Sequence, residues 1–473
     1  MTNRIPLYQH LGLRTAGGVV RPQPHFASRR LQRHSLAALL ALGGLLASGV
    51  AEAQQCPPGK SCYYIPPILQ VPVIAPQNYG GDLVFYAIGS DVSGTYSFNG
   101  GADVPFTALA GTPFQVPFTG TEGIISGYLV PESRGAFVVA DSPSLIVEQR
   151  VTAASWQASA TMKNQLVGLG TRFRAGSYPL NTPNSDDTGF DFLSFYAPTA
   201  TNITVTAPPG AAAPFWNDGI AGLTHTFSLN AGQTYALRTQ LGVDFDGALI
   251  TSTQPISVTV GGRGWFSGCG DEGRDHLVPT NLLGTQFVVD DYPSILAETL
   301  RVVADSDNTQ VSVNGAVVAT INAGQYYEPA LSGVTFIETS QPAYVFQNAG
   351  LVQCELDIAM IPPLVLAPLA SSSISVNVLG TGHAIMFIPT AAVSSVLLDG
   401  VPPPAPQISP VPTHPEYSRV RFDVSGTNHI VSAASDFQIG VVSFAPGATG
   451  LFAYFNPYRL STCGNGLLNS GEG

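Results

Sequence analysis

From about residue 80 onward the chain is written in short runs of Val, Ile, Phe, Tyr and Thr separated by Gly, Pro, Asn and Asp. Ile203 to Ala207, Ile256 to Val260 and Val311 to Val313 alternate apolar with small polar residues. A period of two belongs to strands that bury one face and wet the other. Helical periodicity of useful length is hard to find. The predicted fold class is therefore all-β, built as tandem antiparallel β-sandwich-like modules.

Three phrases recur. Leu169-Gly170-Thr171-Arg172-Phe173 returns as Leu283-Gly284-Thr285-Gln286-Phe287, each followed, after four intervening residues, by Tyr-Pro. Asn230-Ala231-Gly232-Gln233 returns as Asn322-Ala323-Gly324-Gln325. Such a phrase supplies a turn in which Gly takes positive φ. The third phrase couples a Gly-led strand to a proline-led one: Gly247 to Ile250 with Gln254-Pro255, then Gly333 to Phe336 with Gln341-Pro342. Gly135 to Val138 with Ser142-Pro143 is an earlier copy, and Ile430 to Val442 a degraded later one. Proline opening a strand sacrifices only a terminal donor, after which Ile256, Val258 and Val260 share a face. The repeats predict modules over residues 54–182, 183–295, 296–375 and 376–458. Their boundaries are expected near Pro179 to Asp187, Pro293 to Glu298 and Ser371 to Gly382. The prolines at 402, 403, 404, 406, 410, 412 and 415 read as a long loop in the last module or as an extended linker.

Composition removes several function classes. The 473 residues are 45% hydrophobic and 11% charged, which excludes disorder over most of the chain. The only lysines are Lys60 and Lys163, so no polybasic surface for nucleic acid is expected. The formal net charge of −12 hides an asymmetry, because six arginines and one acid fall in residues 1–53. Arg29, Arg30 and Arg33 precede an apolar run from Leu36 to Val50, and Ala51 and Ala53 follow in an A-x-A arrangement. This is the layout of a signal peptide over 1–53, with cleavage before Gln54. The run is short and holds Gly43-Gly44, so no transmembrane anchor is expected in this chain. The protein is predicted to be secreted or at the cell surface.

Export makes the cysteines readable as oxidised. Cys56 and Cys62 bracket a Pro-Pro-Gly spacer suited to a local bridge. Cys269 and Cys354 are either a second pair, closing a loop worth about 4 to 5 kcal/mol in the chain-entropy model, or two reduced thiols. Cys463 leaves the count odd.

The stretch Cys269 to Pro279, containing Asp275-His276-Leu277 and followed by Gly284-Thr285-Gln286-Phe287, resembles the N-terminal domain family of the IgGFc-binding proteins. That family shows a Cys, then Asp-His-Leu, then prolines, then a Gly-x-x-Phe phrase. Asp275, His276, Leu277, Pro279, Gly284 and Phe287 match it. This chain has one proline where the family often has two, and Leu283 where an aromatic often stands. Val345-Phe346-Gln347, Cys354 and Ile361-Pro362-Pro363 are similar to the family's next segment, so the resemblance covers roughly residues 185 to 450. It implies an extracellular β-rich module of the kind found in mucin-like and bacterial secreted proteins, while His276 itself reads as a loop-stabilising residue rather than a catalytic one. Cys463-Gly464-Asn465-Gly466, in residues 459–473, resembles the start of a Cys-rich repeat common on secreted myxobacterial proteins.

Catalytic and cofactor motifs are weak. Gly268-Cys269-Gly270-Asp271-Glu272-Gly273 fits G-x-G-x-x-G, but no helical pattern follows and its acids would repel a pyrophosphate. It reads as a flexible acidic loop. Asp186, Asp187 and Asp191, and Asp305-Ser306-Asp307-Asn308, read as solvated turns that lack a full calcium-ligand spacing, leaving a metal open. No cofactor and no catalytic residue are assigned. The expected function is non-enzymatic binding or adhesion toward an extracellular protein or glycan. The alternative is a secreted hydrolase or carbohydrate-active protein with a site between modules.

Overall fold

The computed structural model describes residues 54–69, 79–119, 122–125, 127–153, 157–163, 168–177, 189–217, 219–266, 269–292, 299–350, 356–364, 373–376, 378, 380–426, 428–444 and 451–455. The leader, Cys354, Cys463, Asp186, Asp187 and the Cys-rich start lie outside them. So do residues 178–188, 293–298 and 365–372, which take in most of the expected boundaries. The described residues belong to one compact unit, Val50–Gly473.

The chain is all-β, and one pairing scheme runs through it four times. The first copy comprises β1 (Ser61–Ile65), β2 (Ile68–Leu69), β3 (Tyr79–Ala87), β4 (Val92–Phe98), β5 (Val104–Ala108), β6 (Phe114–Thr119), β7 (Ile124–Ile125), β8 (Ala136–Ala140), β9 (Leu145–Ala153) and β10 (Gln157–Lys163). The second has β11 (Gly170–Arg174), β12 (Phe190–Tyr196), β13 (Thr201–Thr206), β14 (Thr224–Leu229), β15 (Thr234–Arg238), β16 (Leu249–Phe266) and β17 (Cys269–His276). The third has β18 (Gly284–Val289), β19 (Thr299–Ala304), β20 (Thr309–Val313), β21 (Ala316–Ile321), β22 (Tyr326–Tyr327), β23 (Thr335–Gly350) and β24 (Leu356–Met360). The fourth has β25 (Ser373–Val376), β26 (Thr381–Pro389), β27 (Leu397–Leu398), β28 (Gln407–Val411), β29 (His414–Ser425), β30 (His429–Ser432), β31 (Gln438–Phe444) and β32 (Leu451–Phe455).

In the second copy the long strand β16 belongs to two sheets. Its first half pairs with β11 and β13, its second half with β12 and β17, while β14 extends β13 and β15 extends β12. The third copy repeats every pairing, with β23 in the place of β16. In the first copy a turn breaks the long strand into β8, which pairs with β1 and β4, and β9, which pairs with β3 and β10. In the fourth it is broken into β30 and β31, which keep the corresponding partners β25, β27, β26 and β32.

The scheme explains the recurring phrases. Pro255 and Pro342 do not open separate strands; they lie inside β16 and β23, where the strand passes from one sheet to the other and no ladder partner needs their missing N–H. In the turn phrase, Gly232 and Gly324 take φ of 76° and 78°. Gln233 and Gln325 close these turns with their side chains, accepting from the Asn230 and Asn322 N–H at 2.8 and 2.9 Å. The proline-rich stretch is not simply a loop, because Pro410 sits in β28 and Pro415 in β29, which pair as a hairpin.

Each copy shares its core with the next. Val303, Tyr344 and Phe346 of the third pack into the cluster of the second, and Ile385, Phe387 and Val442 of the fourth into that of the third. Tyr196 of the second packs with Cys62, Tyr64 and Phe137 of the first. Val84, Tyr86 and Ile146 of the first lie in the cluster of the fourth, so the succession closes on itself. The Asn428 side chain donates to the Gly111 carbonyl at 2.7 Å across that last junction. Ion pairs mark others: Arg172 and Arg174 with Asp305, Arg301 with Asp246, and Arg419 and Arg421 with Asp290.

Two glycines permit close approach at equivalent points. A Cβ on Gly170 would lie 2.2 Å from Pro279 Cβ, and one on Gly284 2.3 Å from Pro363 Cβ. Gly284→Ala is expected to lower stability in urea unfolding by about 1–3 kcal/mol through overpacking. Gly222→Ala, whose Cβ meets nothing nearer than 3.7 Å, is expected to stay within about 0.5 kcal/mol of the parent.

Candidate functional site

The last strand of each copy turns toward one place. β10 packs on β17, β17 on β24, β24 on β32 and β32 on β10, without ladder hydrogen bonds between them. This hub gathers chemistry-bearing residues that are far apart in sequence. Thr161 and Lys163 come from β10, Glu272, Arg274, Asp275 and His276 from β17, and Asp357 from β24; all are buried.

Backbone groups do much of the joining. The Arg274 carbonyl accepts from Thr161 Oγ1 at 2.8 Å, and its N–H donates to Asp357 Oδ1 at 3.2 Å. One residue of the second copy thereby holds the first and the third. Asp275 accepts from the His276 N–H and from the Met360 N–H, both at 2.6 Å, which ties the ends of β17 and β24. Burial lifts its carboxyl to about 7, against the opposing pull of the Met360 and His276 N–H groups. The Arg274 guanidinium pairs with Glu272 on the same strand face and lies 5.8 Å from the centre of the Phe192 ring.

His276 Nε2 is 2.8 Å from Ser257 Oγ. A nucleophile and a base can make such a contact. Here both side chains are buried, and burial, then the Lys163 charge, holds the imidazole well below its usual range and therefore neutral. The arrangement fixes the ring between β16 and β17. Lys163 is fully enclosed, and its Nζ has no hydrogen-bond partner among the described residues. Burial and then Arg274 lower its amine from 10.5 to about 7.

The remaining motif residues are architectural. Leu277 is in the core and donates its N–H to the Val258 carbonyl at 3.0 Å. Pro279 and Gly284 form the two glycine–proline contacts above, and Phe287 is buried in the third copy. Cys56 and Cys62 are joined in a disulfide. Cys269 opens β17, but its side chain and Cys354 lie outside the described residues.

Two readings of the sequence need correction. Residues 269–273 are not a flexible acidic loop: they form strand paired with Phe266 to Gly262, and Glu272 is buried. Asp191 is not in a solvated turn. It lies buried in β12, accepts from the Phe245 N–H at 3.3 Å, and burial, then Asp244 and Asp246, raises its carboxyl well above the ordinary value. Asp305 to Asn308 do form a turn, but Asp305 is bound by two arginines. Among the described residues no three His, Cys, Asp or Glu side chains gather as a metal site.

Three of the four hub strands fall wholly or mostly within a recognised sequence family, and β32 lies beyond it. Residues 159–444, more than half of the chain, match the family described as IgGFc binding protein. The chain belongs to that family. No curated protein and no solved structure matches it. The family match begins within β10 and ends at the last residue of β31, so it includes the hub residues from Lys163 to Asp357. Most of the first copy lies before it, yet that copy has the same strand pairing. The family is a binding one, and among the described residues no helix is long and apolar enough to cross a membrane.

Lys163 offers a direct probe of the hub. Its amine is neutral more readily in the folded chain than in the unfolded one, so it costs stability fully below about pH 7 and progressively less as pH rises toward 10.5. Lys163→Met is expected to stabilise the chain at pH 6 by about 1–4 kcal/mol. The gain should shrink between pH 7 and 10, as read by urea unfolding at each pH; a gain that grows with pH would contradict this assignment.

Proposed function

We propose that this chain is exported and acts outside the cell or on its surface as a non-enzymatic binding or adhesion protein. The observation that carries this reading is where the chemistry-bearing residues stand. Ser257, Asp275 and His276 have the side chains of a hydrolytic site, and each is buried and bonded to strands of the hub. Membership of a family described by what it binds points the same way, as does the Cys56–Cys62 disulfide, a bond suited to an oxidising compartment. The ligand proposed is an extracellular protein or glycan, met by the outer surfaces of the four copies.

The Ser257–His276 contact is the one feature that favours hydrolysis instead. Purified residues 54–473, immobilised and presented with a glycan array, immunoglobulin Fc and extracellular matrix proteins, are expected to give saturable binding to at least one of them and no turnover of peptide or glycan substrates. Turnover that disappears in Ser257→Ala and in His276→Ala, with the folded circular dichroism retained, would overturn the binding reading.

A further inference from the structure

Gln54 follows directly on the Ala51-x-Ala53 pattern, and three of its polar groups are held. Its N–H donates to the Pro198 carbonyl at 3.2 Å. Its carbonyl accepts from Tyr64 Oη at 2.5 Å, and its side-chain Oε1 accepts from Tyr196 Oη. Tyr64 lies in β1 of the first copy, whereas Tyr196 ends β12 of the second and Pro198 follows it. The rings of Tyr64 and Tyr196 stand 5.8 Å apart and that of Phe137 is 4.8 Å from Tyr64, so the socket has aromatic walls. The disulfide of Cys56 fastens the same segment to Cys62. Burial pushes the Tyr64 hydroxyl up to about 12 and raises that of Tyr196 as well, so both stay donors. The side-chain Nε2 of Gln54 is the one polar group that makes no hydrogen bond among the described residues.

Cleavage before Gln54 would turn its N–H into a primary amine. Held in this socket as an ammonium, it would be partly stripped of water and left with one acceptor, the Pro198 carbonyl. A neutral lactam meets the site better. The amine nitrogen attacks Cδ of its own side chain; the N–Cδ bond forms, the Cδ–Nε2 bond breaks, and Nε2 leaves as ammonia with a proton from the amine. The five-membered ring keeps one N–H, the ring carbonyl and the peptide carbonyl, which are the three groups the socket uses. It discards only Nε2.

We propose that the mature chain begins with Gln54 cyclised to a pyroglutamyl residue, and that this lactam is the clasp between the first and second copies. The proposal rests on export with cleavage before Gln54. The test uses the full chain secreted through its own leader. Free amines are labelled in the culture medium before any handling, so that ring closure during work-up is scored as labelled glutamine, and the N-terminal peptide is then sequenced by mass spectrometry. The expected peptide begins at residue 54, carries no label and is lighter than the glutamine form by one ammonia. Pyroglutamyl aminopeptidase should release that residue from the reduced, unfolded chain and leave the folded chain intact. A labelled Gln54 would overturn the cyclisation while leaving the cleavage site standing. An N-terminus elsewhere would overturn the cleavage site and the proposal with it.

Discussion

The carboxylate of Asp275 holds two backbone N–H groups that belong to different copies of one strand scheme, those of His276 and Met360. A buried donor left without a partner costs about 1–3 kcal/mol, so this one side chain decides whether β17 and β24 can end side by side. Much else depends on that join. Each terminal strand is paired on one edge only, and its other side must be covered by something. Here the terminal strand of the next copy covers it, and the fourth covers the first. The result removes the exposed ends that an open row of repeats would need to cap.

Charge is scarce in this chain and is spent at junctions. Asp305 with two arginines, Asp246 with Arg301 and Asp290 with Arg419 and Arg421 all bridge neighbouring copies. Burying such groups seldom adds net stability, because desolvation offsets attraction. Their effect is directional: a misplaced neighbour would leave an enclosed charge unpaired. Lys163 is the exception: its enclosed amine has no hydrogen-bond partner among the described residues, so it costs the hub stability without fixing the position of a neighbour. The ion pairs between neighbouring copies hold them in fixed positions.

The repeats could be read from the sequence because turn chemistry is local. Gly232 and Gly324 announce themselves through the phrase around them, whereas the role of Gln233 and Gln325 as turn-closing acceptors shows only in the fold. Alternation likewise exposed Ile256, Val258 and Val260 as a core face. The hub was not legible, since it brings residue 161 to residue 274 and residue 275 to residue 360. The motif Asp275-His276-Leu277 marked its position without its purpose. An acidic, glycine-rich string looks solvated when judged alone, whereas the cover of Glu272 comes from β16 and from Arg274, two residues on. Lys163 left one trace, being one of two lysines and standing two positions from Thr161 on an alternating strand.

Closure of the four copies into one cycle is the central claim, and hydrogen exchange in rising guanidinium concentration tests it most directly. In an open row, the first and last copies fray before the middle ones. In a closed cycle, peptides covering β10, β17, β24 and β32 lose protection together, at one denaturant concentration and last of all. Early exchange of β10 and β32, with β17 and β24 still protected, would contradict the closed hub.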